Sequence, residues 1–153
     1  MAKLSAFAII LNPLRQVLLC HRRDMDLWNL PGGGVEERES PWDAVIREVL
    51  EEVGLLVSIV KLLGIYHKPN DDEVCFSFHC SVDGGALTLT SEADQLEWFD
   101  LDHLPQNTSP RQAERILDMR AFGKLVLADQ TEAFMTRDIS QVENIVSVKQ
   151  LKK

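Results

Sequence analysis

The sequence predicts an α+β fold, and three observations carry that reading. Short apolar runs separated by Pro, Gly, Asn and Asp recur along the first hundred residues, as strands and turns do. Two longer segments carry apolar residues at helical spacing between sharp start and stop signals. The chain has 153 residues and is 45% hydrophobic, enough for one core and one domain.

In chain order, Ala6 to Leu11 and Gln16 to His21 read as strands joined by the turn Asn12-Pro13-Leu14-Arg15, which predicts a hairpin. Residues 22–40 are loop-like around Leu30-Pro31-Gly32-Gly33-Gly34. A helix over 41–53 has clear ends: Ser40 is a natural N-cap, Pro41 fits the first turn, Asp43 suits the positive helix start and Gly54 supplies the stop. Strands are expected at 57–66, 73–81, 86–90 and 95–100, with Val82-Asp83-Gly84-Gly85 as a tight connection. A second helix starts at Ser109-Pro110 and stops at Gly123, and Leu125-Val126-Leu127 reads as its extension. Residues 1–135 are expected to form the single domain and 136–153 a C-terminal tail, its Lys-tipped end mobile.

The net charge of −8, from 24 acidic and 16 basic residues, argues against a long nucleic-acid partner, which wants a basic footprint. It leaves small nucleotides open, because cations bridge acidic protein to acidic ligand. Cys20, Cys75 and Cys80 are odd in number and form no C-x-x-C pair, so they read as reduced packing residues of a cytoplasmic protein. Cys75 and Cys80 are expected on opposite faces of one strand. The apolar run after Met1-Ala2-Lys3-Leu4-Ser5 is far shorter than the roughly twenty residues a membrane helix needs, and no membrane association is expected. His21, His67, His79 and His103 show no zinc-ligand spacing and read as structural.

On the first helix, Trp42, Ile46, Val49, Leu50 and Val53 are expected to form the buried stripe, with Glu48, Glu51 and Glu52 on another face. Alone, three glutamates on a helix describe a solvated surface. The triple glycine in front changes the reading, because it costs backbone entropy and lets the chain approach a ligand closely. A glycine loop beside carboxylates repels phosphate unless a hard cation stands between them, so the pair predicts Mg²⁺ and a phosphate compound. Arg47 lies beside the acidic face and would orient a carboxylate, either Glu39 or a helix glutamate.

Residues 33–55 read Gly33, five residues, Glu39, seven residues, Arg47-Glu48-Val49, one residue, Glu51-Glu52, one residue, Gly54-Leu55. This resembles the complete Nudix box, G-x5-E-x7-R-E-U-x-E-E-x-G-U with U aliphatic, and no position departs from it. Trp28-Asn29-Leu30-Pro31 before the box, and Trp98-Phe99 and Leu104-Pro105 after it, extend the resemblance to about residues 3–123. It implies an α/β/α sandwich around a mixed sheet, and a hydrolase that cleaves the diphosphate linkage of a nucleoside diphosphate derivative with Mg²⁺ or Mn²⁺. Glu51 and Glu52 are the implied main ligands, Glu48 a ligand or base, and Glu39, Arg47 and Gly33 the surroundings. Glu92 is expected as a further ligand or base from a later loop, ahead of Glu97; the general base is left open among Glu52, Glu48 and Glu92. Arg22 and Arg23 would contact a phosphate or stand as surface charges, and Trp28 would stack on a base or pack beside Leu30-Pro31. Tyr66 and Phe76 are expected in the core. Nucleoside triphosphates and ADP-ribose-type compounds lead the substrate classes; Pro69 falls near the place where ADP-ribose-specific members carry a proline. The alternative is a silent Nudix domain that binds a nucleotide as a sensor or partner module. The resemblance also implies a homodimer.

Overall fold

A computed structural model describes residues 2–131 and the backbone of 146–149. Strands β1 (Lys3–Ile10), β4 (Gly32–Gly34), β5 (Leu55–Lys68), β6 (Glu73–Gly85), β8 (Leu125–Asp129) and β9 (Val146–Lys149) form a mixed sheet in the order β4-β1-β6-β5-β8-β9. Strands β2 (Gln16–Arg22), β3 (Trp28–Asn29) and β7 (Ala93–Asp100) form a second, antiparallel sheet in the order β3-β2-β7. Helices α1 (Pro41–Val53) and α2 (Pro110–Phe122) complete the α+β fold.

Alternation along β1 shows why the helices lie on opposite faces. Ala6, Ala8 and Ile10 join the cluster that holds Ala44, Val45, Val49 and Val53 of α1. Ile9, from the other face, joins Ile116 of α2, while Leu18 and Cys20 of β2 split from Val17 and Leu19 in the same way. β1 and β2 are therefore buried on both faces, which explains their unbroken apolar runs. Cys75 and Cys80 fall in separate clusters on opposite faces, and all three cysteines are free and buried. Tyr66 is buried and Phe76 partly buried, both packed in the core.

Four expectations of local structure are corrected. The turn Asn12–Arg15 forms as expected and is closed by an antiparallel Leu11–Val17 bridge, but β1 and β2 then enter different sheets instead of continuing as a hairpin, each taking partners on both edges. Val82 to Gly85 is not a connection. It continues β6 against Val57, Leu56 and Leu55, and the turn between these strands lies at Pro69–Asp71. Residues 86–90 are not a strand: Thr88 and Ala86 instead bond the carbonyls of Val53 and Gly54 at the end of α1. Leu125–Leu127 does not extend α2, since Gly123 caps that helix in the left-handed region and β8 then pairs parallel with β5.

The expected boundary at residue 135 lies outside the described residues. Within the expected tail, the backbone of 146–149 pairs parallel with β8. Among the described residues no helix is long and apolar enough to cross a membrane.

Candidate functional site

The site is assembled from the loop before α1, the last two turns of α1 and the segment leading into β7. Helix α1 forms as its ends direct: the Ser40 hydroxyl accepts the Asp43 N–H at 3.0 Å, and the Gly54 N–H bonds the Leu50 carbonyl from a left-handed cap. Its buried stripe is Ala44, Val45, Val49 and Val53, whereas Trp42 and Leu50 are 56% and 46% exposed, which corrects the expected stripe. The rotation matters for the glutamates. Glu48 and Glu52 follow Val45 and Val49 by three residues and so lie on the margin of the buried stripe, about 40° apart around the axis. Glu51 is turned outward, its side chain 58% exposed and bonded to Arg47.

Carboxylate oxygens of Glu48, Glu52 and Glu92 come within 4.8 Å of one another. Of the expected ligands, the structure thus gathers these three and leaves Glu51 outside the group; Glu97, exposed on β7, is also outside it. The triple glycine is what lets the group form. A Cβ on Gly33 would stand 2.7 Å from the Glu48 carboxyl carbon, so only glycine lets the Glu48 head lie on the loop. The neighbouring Gly32 N–H donates to Glu52 Oε1 at 3.0 Å.

Arg47 organises the other side of the helix. Its guanidinium grips Glu39 through two bonds, Nε to Oε2 at 2.7 Å and Nη2 to Oε1 at 2.9 Å. The same group donates to Glu48 Oε2 and Glu51 Oε1, each at 3.1 Å, and to the Gly34 carbonyl at 3.1 Å. Bonding to Arg47 holds the Glu39 carboxyl down at about 2. The Arg47 pKa is raised in return, first by Glu39.

The electrostatics of the cluster run the other way. Glu52 is pushed up to about 7, chiefly by burial and then by the charges of Glu92 and Glu48, against the Gly32 N–H and Arg22. Glu48 is also raised, by burial first, with Arg47 opposing. Three converging hard-oxygen donors, only partly offset by Arg47 and Arg22, with Glu48 lodged in the space that a Gly33 Cβ would fill, fit a divalent cation.

The cleft beside the cluster is lined by Arg22, Arg23, Asn29, Gly32, Glu52 and Glu92 among others. Arg22 is paired with Asp24 through two bonds, and Arg23 donates to the Thr90 carbonyl at 3.3 Å, so both reach the cleft wall. Trp28 does not: it is 7% exposed and packed edge-on to His21 and Phe99, which makes it a core residue and not a stacking platform. Pro69 lies at the far end of β5 from Gly54, the whole strand separating it from the box helix.

Several contributors had no signal in the sequence. The Thr90 hydroxyl donates to the Glu52 carbonyl at 3.1 Å and accepts the Glu92 N–H at 3.3 Å. His21 bridges Asp94 and Asp26, each at 2.8 Å. Polar residues of these types are common in loops, and only their placement gives them a role.

A NUDIX domain family model matches residues 1–119. A Bacillus subtilis protein named "Putative 8-oxo-dGTP diphosphatase" is 36% identical over 116 residues, covering 75% of this chain and 78% of its own. An ADP-ribose pyrophosphatase of Methanocaldococcus jannaschii is 41% identical over 81 residues, covering 50% of this chain and 48% of its own. The crystal structure of an ADP-ribose pyrophosphatase from Streptococcus suis superposes with a TM-score of 0.68 at 27% identity, covering 85% of this chain and 100% of that one. With the box helix, the sandwich and these matches in agreement, the chain belongs to the Nudix family of hydrolases.

Proposed function

We propose that this protein hydrolyses the diphosphate linkage of a nucleoside diphosphate derivative, a nucleoside triphosphate or an ADP-ribose-type compound, with Mg²⁺ or Mn²⁺ held by Glu48, Glu52 and Glu92. The observation that carries the reading is the convergence of those carboxylates within 4.8 Å at the wall of a cleft that Arg22 and Arg23 also line. Relatives named for 8-oxo-dGTP and for ADP-ribose support the two substrate classes. A bound cation would supply Lewis-acid polarisation of the phosphate oxygens and offset the carboxylate charge.

The remaining roles belong to side chains. Glu52, the most buried of the three carboxylates, is the favoured group to take a proton from an attacking water; its elevated pKa belongs to the metal-free cluster, and a bound cation would lower it. Glu48 is kept in place by Arg47 and by the clearance over Gly33. Glu51 serves at the outer rim, where it also bonds Arg47. Arg22 and Arg23 face the departing phosphate, each able to exchange its present acceptor for a phosphate oxygen. Three free, buried cysteines agree with a cytoplasmic setting. Residues 1–135 are taken as the catalytic domain, acting as a homodimer.

The test is a panel of nucleoside triphosphates, dinucleotides and ADP-sugars with Mg²⁺ or Mn²⁺. Release of a nucleoside monophosphate from at least one member, stopped by chelation, is the expected result. No turnover anywhere on the panel, with nucleotide binding retained, would favour a sensor or partner-binding module instead.

A further inference from the structure

We propose that Thr90 is a positioning residue that sets Glu92 in register with Glu52, an inference that rests on the reading of these carboxylates as cation ligands.

The segment between β6 and β7 has no regular secondary structure, yet it delivers Glu92 to the cluster. What fixes its path is a series of bonds onto the end of α1. The Ala86 N–H bonds the Gly54 carbonyl at 3.3 Å, the Thr88 N–H bonds the Val53 carbonyl at 2.9 Å, and the Thr90 hydroxyl bonds the Glu52 carbonyl at 3.1 Å. Every second residue of the segment thus meets the preceding carbonyl of the helix end, carbonyls that a helix cannot satisfy internally. The first two contacts use backbone N–H groups and survive most substitutions. The third depends on a side chain.

That side chain works in both directions. A hydroxyl has one proton to give and lone pairs to accept with. Thr90 Oγ1 gives its proton to the Glu52 carbonyl and accepts the Glu92 N–H at 3.3 Å. One oxygen atom therefore ties the backbone of two of the three clustered glutamates together. Their carboxylates repel one another, and Glu92 is exposed on a loop that could swing away from the repulsion. The bracket opposes that swing, and the β-branched side chain restricts the rotation that would release it. The Thr90 carbonyl also accepts from Arg23, so the cleft's arginine leans on the same residue.

The test is a substrate-free Mn²⁺ titration of the full chain, reading free ion by electron paramagnetic resonance, well below each variant's melting temperature. Thr90→Val keeps the shape and removes both bonds; Mn²⁺ affinity should fall about tenfold, the usual cost of losing a partner behind a metal ligand. Thr90→Ser should bind like the wild type. In a Glu92→Gln background Thr90→Val should add no further loss, because the bracket acts through Glu92. If Thr90→Val does not fold at the assay temperature, Thr90→Cys, with a poor donor of similar size, takes its place. Equal Mn²⁺ affinity in wild type and Thr90→Val, or the same loss with and without the Glu92 carboxylate, overturns the proposal. A wild type that binds no Mn²⁺ overturns the cation reading beneath it as well.

Discussion

Glu52 Oε1 accepts the Gly32 N–H at 3.0 Å, and this is the bond by which the glycine loop holds the most buried of the clustered carboxylates. The bond favours the charged form, yet burial and the neighbouring Glu92 and Glu48 outweigh it, and the group is pushed up to about 7. The free cluster is therefore under electrostatic stress at neutral pH.

A carboxyl whose folded pKa lies above its unfolded value adds stability below the unfolded value. That stability is lost as pH rises through the folded one. For Glu52 the window runs from 4.5 to about 7, and the loss is on the order of 3 kcal/mol. The metal-free Glu52→Gln variant should therefore melt roughly 6–12 °C above the wild type at pH 8 and close to it at pH 4. Its hydrolytic rate should fall by orders of magnitude. Calorimetry at the two pH values decides the matter: identical melting at pH 8 would mean that Glu52 carries no such stress.

Arg47→Lys keeps the charge and loses the planar fork. A lysine ammonium cannot grip both Glu39 oxygens while also meeting Glu48, Glu51 and the Gly34 carbonyl. Turnover should fall about 10–100-fold, with the nucleotide KM changed far less, because Arg47 orients Glu48 and lies outside the residues lining the cleft. Steady-state kinetics at saturating Mg²⁺ provides the check. A variant with wild-type kcat would show that the fork has no part in placing Glu48.

Legibility in the sequence followed locality. The ends of α1 and α2 were readable because caps act within a few residues, and Ser40, Gly54 and Gly123 act as their types predict. The α1 stripe was misplaced because Trp42 and Leu50 are apolar but exposed, while small Ala44 carries contact with the sheet. The alternating Leu and Thr of 86–90 imitate a strand, though Leu87 and Leu89 are exposed and, among the described residues, no strand pairs with them. β8 was misread for the opposite reason: its partner β5 lies about sixty positions away, and no local pattern announces a parallel pairing. Within the site, Glu39, Arg47, Glu48 and Glu52 were legible through their fixed spacing. Thr90 and the His21 bridge were not, since both act through contacts between distant segments.

Gly33 and Gly32 should separate function from folding. A methyl group at Gly33 would meet the carboxylate end of Glu48, a flexible group that can move aside, so Gly33→Ala should fold normally with a displaced ligand. Mn²⁺ affinity should fall about tenfold with little change in melting temperature. At Gly32 the same methyl would stand 2.3 Å from the Ala6 carbonyl oxygen, which is backbone and cannot yield, at a φ of +151°. Gly32→Ala should therefore lower the melting temperature sharply. Equal thermal losses in the two variants would contradict this division.

His21 offers a test of how the walls of the cleft are joined. Its Nε2 bonds Asp26 and its Nδ1 bonds Asp94, so the imidazole links the loop after β2 to the start of β7. Both carboxylates raise its pKa above 6.5, first through the Asp26 and Asp94 bonds, while burial opposes them. The doubly protonated ring satisfies both acceptors at once, and a neutral ring satisfies only one. The bridge therefore contributes its full stabilisation below pH 6.5 and loses it as pH rises through the elevated value. Titration followed by nitrogen chemical shifts should show His21 protonating at both ring positions with a midpoint above 6.5. Asp26→Asn and Asp94→Asn should each lower that midpoint, because both carboxylates raise it. A midpoint at or below the ordinary histidine value, unmoved by either substitution, would mean that the two walls are held together without this charge.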